Sequence, residues 1–255
     1  VSARESVRRA VRVAGFGAVT AGYAAPFVAI HARTAATERR ALRDKWVGRW
    51  ADALLRLFGV TVEVVGDARC SPERGRIVVA NHRSTIDIAV LLRAFGGCVV
   101  SRADLSGWPI IGFAARSVGT LFVDRSDAAS GASAVREMRA RLDARDTIIV
   151  FAEGTTFADD VVRPFHAGAF LAALHSDAEI VPVGLAYERG SGAAFVNETF
   201  PQHLARMSAA EPTRVCVCVG APFDVPPKSR AAALRDRAQA DVQRLVDQAR
   251  ARVDG

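Results

Sequence analysis

Short apolar runs recur through the chain, centred near Ile77, Cys98, Leu121, Ile148, Val181 and Val215, and each has the length and branching of a buried strand. Ile77-Val78-Val79-Ala80 and Thr147-Ile148-Ile149-Val150-Phe151 are continuous, whereas Cys216 and Cys218 alternate with valines as inward-facing strand residues do. Longer periodic stretches lie between and after them. Ile86 to Phe95 is apolar enough for a buried helix, with Ser84 or Thr85 able to cap it, and Ser229 to Val253 reads as a closing helix. Strands interleaved with helices predict an α/β domain, a mixed central sheet with helices on both faces.

The amino-terminal pattern differs. Val13 to Ile30 contains no charged side chain and follows Arg4, Arg8, Arg9 and Arg12. Crossing a bilayer takes about 20 apolar residues, so this run sits at the lower limit, and Gly15, Gly17, Gly22 and Pro26 weaken it as a straight helix. Arg33, Arg39, Arg40, Arg43 and Lys45 follow, so positive charge flanks both ends and chooses no orientation. A re-entrant or interfacial element accounts for both flanks. Trp46, Trp50, Leu54, Leu57 and Phe58 then recur at helical spacing among Arg43, Lys45, Arg49 and Arg56, the pattern of a basic amphipathic helix lying on a bilayer or on the core. We expect residues 1–59 to form a membrane-associating helical segment, and deletion up to Ile30 to release the protein from membranes. Residues 60–255 then form the main domain.

With 255 residues, half of them apolar, the chain can bury one substantial core, and no repeat period or low-complexity linker divides it. Cys70, Cys98, Cys216 and Cys218 have no zinc-ligand or CxxC spacing, which points to reduced, mostly buried thiols in a cytosolic-facing protein. The net charge is +7 and Lys45 and Lys228 are the only lysines, so the positive charge is almost wholly arginine, the better fork for phosphate and carboxylate oxygens. An anionic partner follows. Without a helix-turn-helix, a zinc finger or an aromatic-studded basic strand, nucleic acid is set aside in favour of an anionic lipid or a phosphorylated small substrate.

The candidate chemistry sits just after the first core run, where Asn81-His82-Arg83-Ser84-Thr85-Ile86-Asp87 places four residues between a histidine and an aspartate. A carboxylate on the second ring nitrogen would fix the imidazole tautomer and make it a general base toward a hydroxyl. Five residues of continuous helix rotate by about 140°, so the pair works only if His82 lies in the turn leaving a strand and Asp87 in the first turn of the next helix. The spacing alone equally allows Asp87 to be a first-turn acid favoured by the helix dipole and His82 a satisfied turn residue. Two further strands also deliver polar groups at their carboxyl ends: Gly119 to Val123 runs into Asp124-Arg125, and Thr147 to Phe151 into Ala152-Glu153-Gly154-Thr155-Thr156. In open α/β sheets that edge binds ligands, so Arg125, Glu153, Gly154 and Thr155 can converge with His82 on one crevice.

In its ordered blocks the chain resembles the glycerophospholipid acyltransferases, the HxxxxD acyltransferases typified by 1-acylglycerol-3-phosphate acyltransferase. The blocks are Asn81-His82 through Asp87, Gly119 through Arg125, Phe151 through Thr155, and Val181-Pro182-Val183-Gly184. Arg102, Leu105, Pro109 and Gly112 keep the family's spacing between the first two, and Pro164-Phe165-His166-Ala167-Gly168-Ala169 is similar to its Pro-Phe-Lys-x-Gly-Ala block. The likeness runs from about Val60 to Val219.

That resemblance implies a glycerolipid-acyltransferase-like fold whose catalytic domain is residues 60–255. It also implies a cytoplasmic-face, membrane-docked enzyme that moves an acyl group from acyl-CoA or acyl carrier protein to a lysophospholipid hydroxyl, first of all 1-acylglycerol-3-phosphate. No cofactor beyond the acyl donor, itself a co-substrate, is implied. His82 would be the general base and Asp87 its orienter. Arg125, Glu153, Gly154 and Thr155 would grip the acceptor's polar head, with Glu153 holding Arg125, another donor or a glycerol hydroxyl. Arg102 falls in the same set, and Ser84 or a backbone N–H near it is a candidate oxyanion donor. Ala152 replaces the family's usual proline, and Thr156 stands where phosphatidate-forming members carry arginine. Gly154-Thr155-Thr156 followed by Asp159, Asp160 and Arg163-Pro164-Phe165 is similar to branches acylating other lysolipids, including lyso-ornithine lipid. Three other readings stay open. One is a hydrolase using His82, Asp87 and a Ser or Cys. Another is a metal site built from His82, Asp87, Glu153 and His166. The last is a non-catalytic lipid-binding protein.

Overall fold

The computed structural model describes residues 2–68, 73–124, 126–174 and 176–255. Two helices, α1 (Ala3–Arg33) and α2 (Arg39–Phe58), precede strands β1 (Val60–Val65) and β2 (Arg76–Ala80). Then follow α3 (Asp87–Phe95), β3 (Cys98–Arg102), a 3-10 turn at Ala103–Gly107, α4 (Ile111–Ser117), β4 (Leu121–Val123), α5 (Ala128–Asp143) and β5 (Thr147–Phe151). The chain ends with α6 (Gly168–Ala173), β6 (Glu179–Tyr187), α7 (Phe200–Ala209), β7 (Thr213–Val219), β8 (Phe223–Asp224) and α8 (Ala231–Asp254). All six expected strands and the closing helix are present. The hydrophobic pattern did not signal β1 or β8, one an edge strand at the expected domain boundary and the other a two-residue pairing.

The strands form one mixed sheet in the order β1-β7-β6-β2-β5-β3-β4, with β8 added beside β6. Pairings are parallel except those of β6 with β7 and β8. Side-chain alternation along the strands divides the core in two. Val78, Ala80, Ile149, Phe151, Val181 and Val183 face α2 and α3, while Ile77, Val79, Ile148, Val150 and Ile180 face α5, α6 and α8. Because β2, β5, β3 and β4 run parallel, the segments leaving them emerge at one edge, which places the residues after Ala80, Phe151 and Arg102 together.

Gly184 sets how closely α8 lies on β6. A Cβ there would fall 2.3 Å from the backbone of Leu245 and Val246. Backbone cannot yield as a side-chain tip does, so Gly184→Ala is expected to cost at least about 1–3 kcal/mol by overpacking. A lowered thermal midpoint would register it, and an unchanged one would show that α8 is free to ride outward.

The amino-terminal helices are built into this body. Val47, Ala51, Leu55 and Phe58 of α2 are buried in the same cluster as α3 and the sheet, and buried Arg43 reaches Asp146 Oδ2 at 2.7 Å beside β5. Of the stripe read as lying on a bilayer or on the core, Phe58 is buried in that cluster, Trp50 and Leu57 pack against it, Leu54 is buried and Trp46 lies against α1, so the stripe packs within the body and packing does not break at Val60. Helix α1 runs unbroken through Gly15, Gly17, Gly22 and Pro26. Its Arg12 is buried and donates to Leu57 O at 2.9 Å and Ala210 O at 2.6 Å, capping the carbonyl ends of α2 and α7. Phe27 and Tyr23 lie against Trp46, and Phe16 against Phe58. Most of α1 is nonetheless exposed, including Val7, Val11, Val13, Val28 and Ile30. It is the one helix among the described residues long and apolar enough to cross a membrane, with a mean hydropathy of 1.6 over its best window.

Candidate active site

Past Ala80 the ladder to β6 is continued by a side chain. The Asn81 carboxamide donates to Leu185 O at 3.0 Å and accepts from Leu185 N at 2.8 Å, which leaves the backbone free to turn. The next residue is His82. Its N–H donates to Glu153 Oε1 at 2.8 Å, its carbonyl accepts from Phe157 N at 3.1 Å, and its ring stacks on Phe151 with centroids 3.9 Å apart. Nδ1 lies 2.9 Å from Asp87 Oδ2. A carboxylate only accepts, so Nδ1 carries the proton and Nε2 presents its lone pair.

Asp87 is fully buried, and four donors compensate the burial of its charge. Besides the imidazole, Oδ2 accepts Arg83 N at 2.7 Å and Ser84 N at 2.8 Å, and Oδ1 accepts the Tyr187 hydroxyl from β6. Burial, with Asp87 alongside, pushes the Tyr187 hydroxyl well above its ordinary pKa, so it stays a donor. This corrects the expected helix cap. Ser84 and Thr85 do not cap α3; Asp87, its first residue, reaches back over the turn instead. The geometry that lets the pair meet is thus the strand-turn-helix arrangement that the spacing demands.

Glu153 takes the same kind of part from the neighbouring strand. Its side chain is fully buried, Oε1 accepts from His82 N and from Arg83 Nη1 at 3.2 Å, and Oε2 accepts from Arg163 N at 2.9 Å. Among the described residues its partners are Arg83 and two backbone amides, which is the expected role of holding another donor; Arg125 lies outside them. Glu153 is not on the cavity wall, which places it behind the site and corrects its place among the substrate contacts. Gly154 turns the chain with φ +84°, in the left-handed region that favours glycine.

His82 opens on a cavity of about 510 Å3. Its walls come from Phe16, Tyr23 and Phe27 of α1, Trp46 and Trp50 of α2, and neighbouring apolar residues of α3, α4 and α7. Thr85, Gly154, Thr155, Thr156 and Arg102 also line it. Arg102 is exposed and already paired in two-pronged fashion with Asp104, at 3.0 Å for each contact. Arg125 lies outside the described residues, and so does Cys70. Ser84 is fully buried and absent from the cavity wall, its Oγ turned to His203 Nε2 at 3.4 Å, so the expected oxyanion donor faces the wrong way.

Two alternatives lose ground on this geometry. Cys98 lines the cavity, but burial pushes its thiol up to about 12, far from the thiolate a nucleophile needs. Among the described residues no three of His, Cys, Asp and Glu gather as a metal-binding group; Asp87 and Glu153 spend their oxygens on N–H and O–H donors.

Sequence reading missed Tyr187, Arg83, Glu198 and His203. Tyr187 is 100 residues from Asp87 along the chain and carries no local signal. Glu198 and His203 did carry one, since their separation of five residues is that of His82 and Asp87 with the order reversed.

An Acyltransferase family model matches residues 61–186. The lyso-ornithine lipid O-acyltransferase of Pseudomonas aeruginosa is 30% identical over 210 residues, covering 80% of this chain and 79% of that protein. The human 1-acyl-sn-glycerol-3-phosphate acyltransferase alpha is 32% identical over 130 residues, 50% of this chain and 46% of its own length, so the chain spans about half of that relative. In fold, the chain is similar to the crystal structure of the 1-acyl-sn-glycerophosphate acyltransferase of Thermotoga maritima. The TM-score is 0.73 over 96% of this chain and 97% of that one, at 21% identity.

Proposed function

The chain belongs to the acyltransferase family, and from that premise we propose that it moves a fatty acyl group from acyl-CoA or acyl carrier protein to the hydroxyl of a lysolipid. The observation that carries this reading is the lone pair of His82 Nε2, backed by Asp87, at the wall of a cavity with apolar walls. His82 takes the hydroxyl proton as the oxygen attacks the thioester carbonyl. The tetrahedral adduct then expels the thiolate, which receives that proton from the imidazolium. The acyl chain lies in the cavity, where each buried methylene is worth about 0.8 kcal/mol.

The surrounding charges suit this cycle. Buried Asp87 and Glu153 carry two negative charges against one on buried Arg83, so the cluster is left with a single negative charge. Protonation of His82 in the transition state neutralises it, and a dry setting strengthens that attraction.

For the acceptor, the ordered blocks favour 1-acylglycerol-3-phosphate, but the particulars of this chain favour a lyso-ornithine-type lipid. Thr156 replaces the expected arginine and donates its hydroxyl to Phe195 O, and on the same wall Arg102 is committed to Asp104 while Glu198 is committed to Arg206. With Thr156 in the arginine's place and Arg102 already paired, these residues offer little to a phosphate dianion, which leaves a head group bearing an amine as the better match. Product analysis with acyl-CoA and acyl carrier protein, each against lysophosphatidate and lyso-ornithine lipid, tests both levels. We expect transfer that requires a lysolipid, faster with the ornithine acceptor. Thiol release indifferent to any acceptor would favour the hydrolase instead.

We place the protein on the cytoplasmic face of the cell membrane, with the exposed apolar side of α1 toward lipid. The helix is no detachable anchor, because Phe16, Tyr23 and Phe27 on its other side wall the cavity.

A further inference from the structure

Beside the catalytic loop, on the wall of the same cavity, lies a second acid–histidine pair, Glu198 and His203. His203, in the first turn of α7, is fully buried. The turn is set by a capping box in which Thr199 N–H donates to Gln202 Oε1 at 2.8 Å. His203 Nδ1 is 2.9 Å from Glu198 Oε1 and 3.1 Å from Arg206 Nη2, and its ring lies against Phe195. Arg206 Nη2 has two protons and two oxygens to receive them, Ala194 O and Glu198 Oε1. Nδ1–H therefore goes to Glu198, and Nε2 is left as an acceptor facing Ser84 Oγ. Ser84 Oγ accepts in turn from Ile86 N at 3.4 Å, and Ser84 N donates to Asp87.

We propose that Glu198, His203 and Ser84 form a brace that positions the His82–Asp87 pair. This rests on the reading of His82 as the general base. The wiring is that of a serine triad, yet Ser84 is fully buried and off the cavity wall, so it holds no substrate. Instead its hydroxyl donates to His203 and accepts from Ile86, which fixes the turn whose amides hold the Asp87 carboxylate. The brace needs His203 neutral. Burial, aided by Arg206 and opposed by Glu198 and Asp87, pushes its pKa down and keeps it so.

A kinetic cycle on the full chain tests this, using Ser84→Ala, His203→Leu and the double variant. One neutral hydrogen bond is at stake, so each single variant should lower kcat about five- to tenfold with little change in KM, and the double variant should fall no further. His203→Gln, which keeps an acceptor toward Ser84, should recover most of the rate. Additive losses, or full activity in both single variants while His82→Ala is dead, overturn the brace and leave the general base standing. An acyl group trapped on Ser84 overturns it in favour of a nucleophile. Full transfer by His82→Ala would remove the premise instead.

Discussion

Replacing His82 by alanine is expected to lower kcat for acyl transfer by about 100- to 10,000-fold, the usual worth of a positioned general base. KM for the acyl donor should barely move, because the cavity walls come mainly from α1, α2, α3, α4 and α7. The protein should still fold, since the ring is 17% exposed and its removal leaves a gap at the cavity rather than in the sheet. Asp87→Asn separates charge from geometry. The Asn oxygen can accept the three N–H donors that meet at Oδ2, and its amide can face the Tyr187 hydroxyl, which is free to rotate and accept. What is lost is the negative charge that stabilises the imidazolium. Asp87→Asn should therefore fold like the parent and lose much of the rate. If His82→Ala kept more than about a tenth of the parent kcat, the base assignment would be wrong.

This pair was visible in the sequence because its two members are joined by a turn, and turn chemistry is local. The strands were equally visible, since buried parallel strands read as apolar runs and a one-residue slip would turn every side chain to the wrong face. The Tyr187 contact was not, because it depends on which strand pairs with β2, and the order β7-β6-β2-β5 follows from long-range pairing that no window of sequence contains. Ser84 misled for a related reason. A serine before a helix is usually a cap, and only the approach of α7 shows that its hydroxyl is turned inward to His203. The amphipathic stripe of α2 looked the same whether it met lipid or core, until α1 and α3 were seen on either side of it.

Glu153→Ala is expected to cost about 3–5 kcal/mol of stability, because it strands Arg83 as an uncompensated buried charge. Arg83 is 4% exposed, and its Nε and Nη2 have no hydrogen-bond partner among the described residues, so Glu153 is the one carboxylate paired with it. For a chain of this length that loss lowers the melting midpoint by on the order of 10 °C. Glu153→Gln does not escape it, because both carboxylate oxygens face donors, and an amide must point its NH2 at Arg163 N or at His82 N and Arg83. Stability and positioning separate in the double variant Arg83→Met/Glu153→Leu. Removing both charges should restore most of the melting midpoint, since a buried ion pair replaced by apolar groups is often neutral. It should not restore activity, because His82 N–H still lacks the acceptor that holds the catalytic turn against β5. A double variant as unstable as Glu153→Ala would show that the pair itself holds the fold, and one with full kcat would show that His82 needs no such anchor.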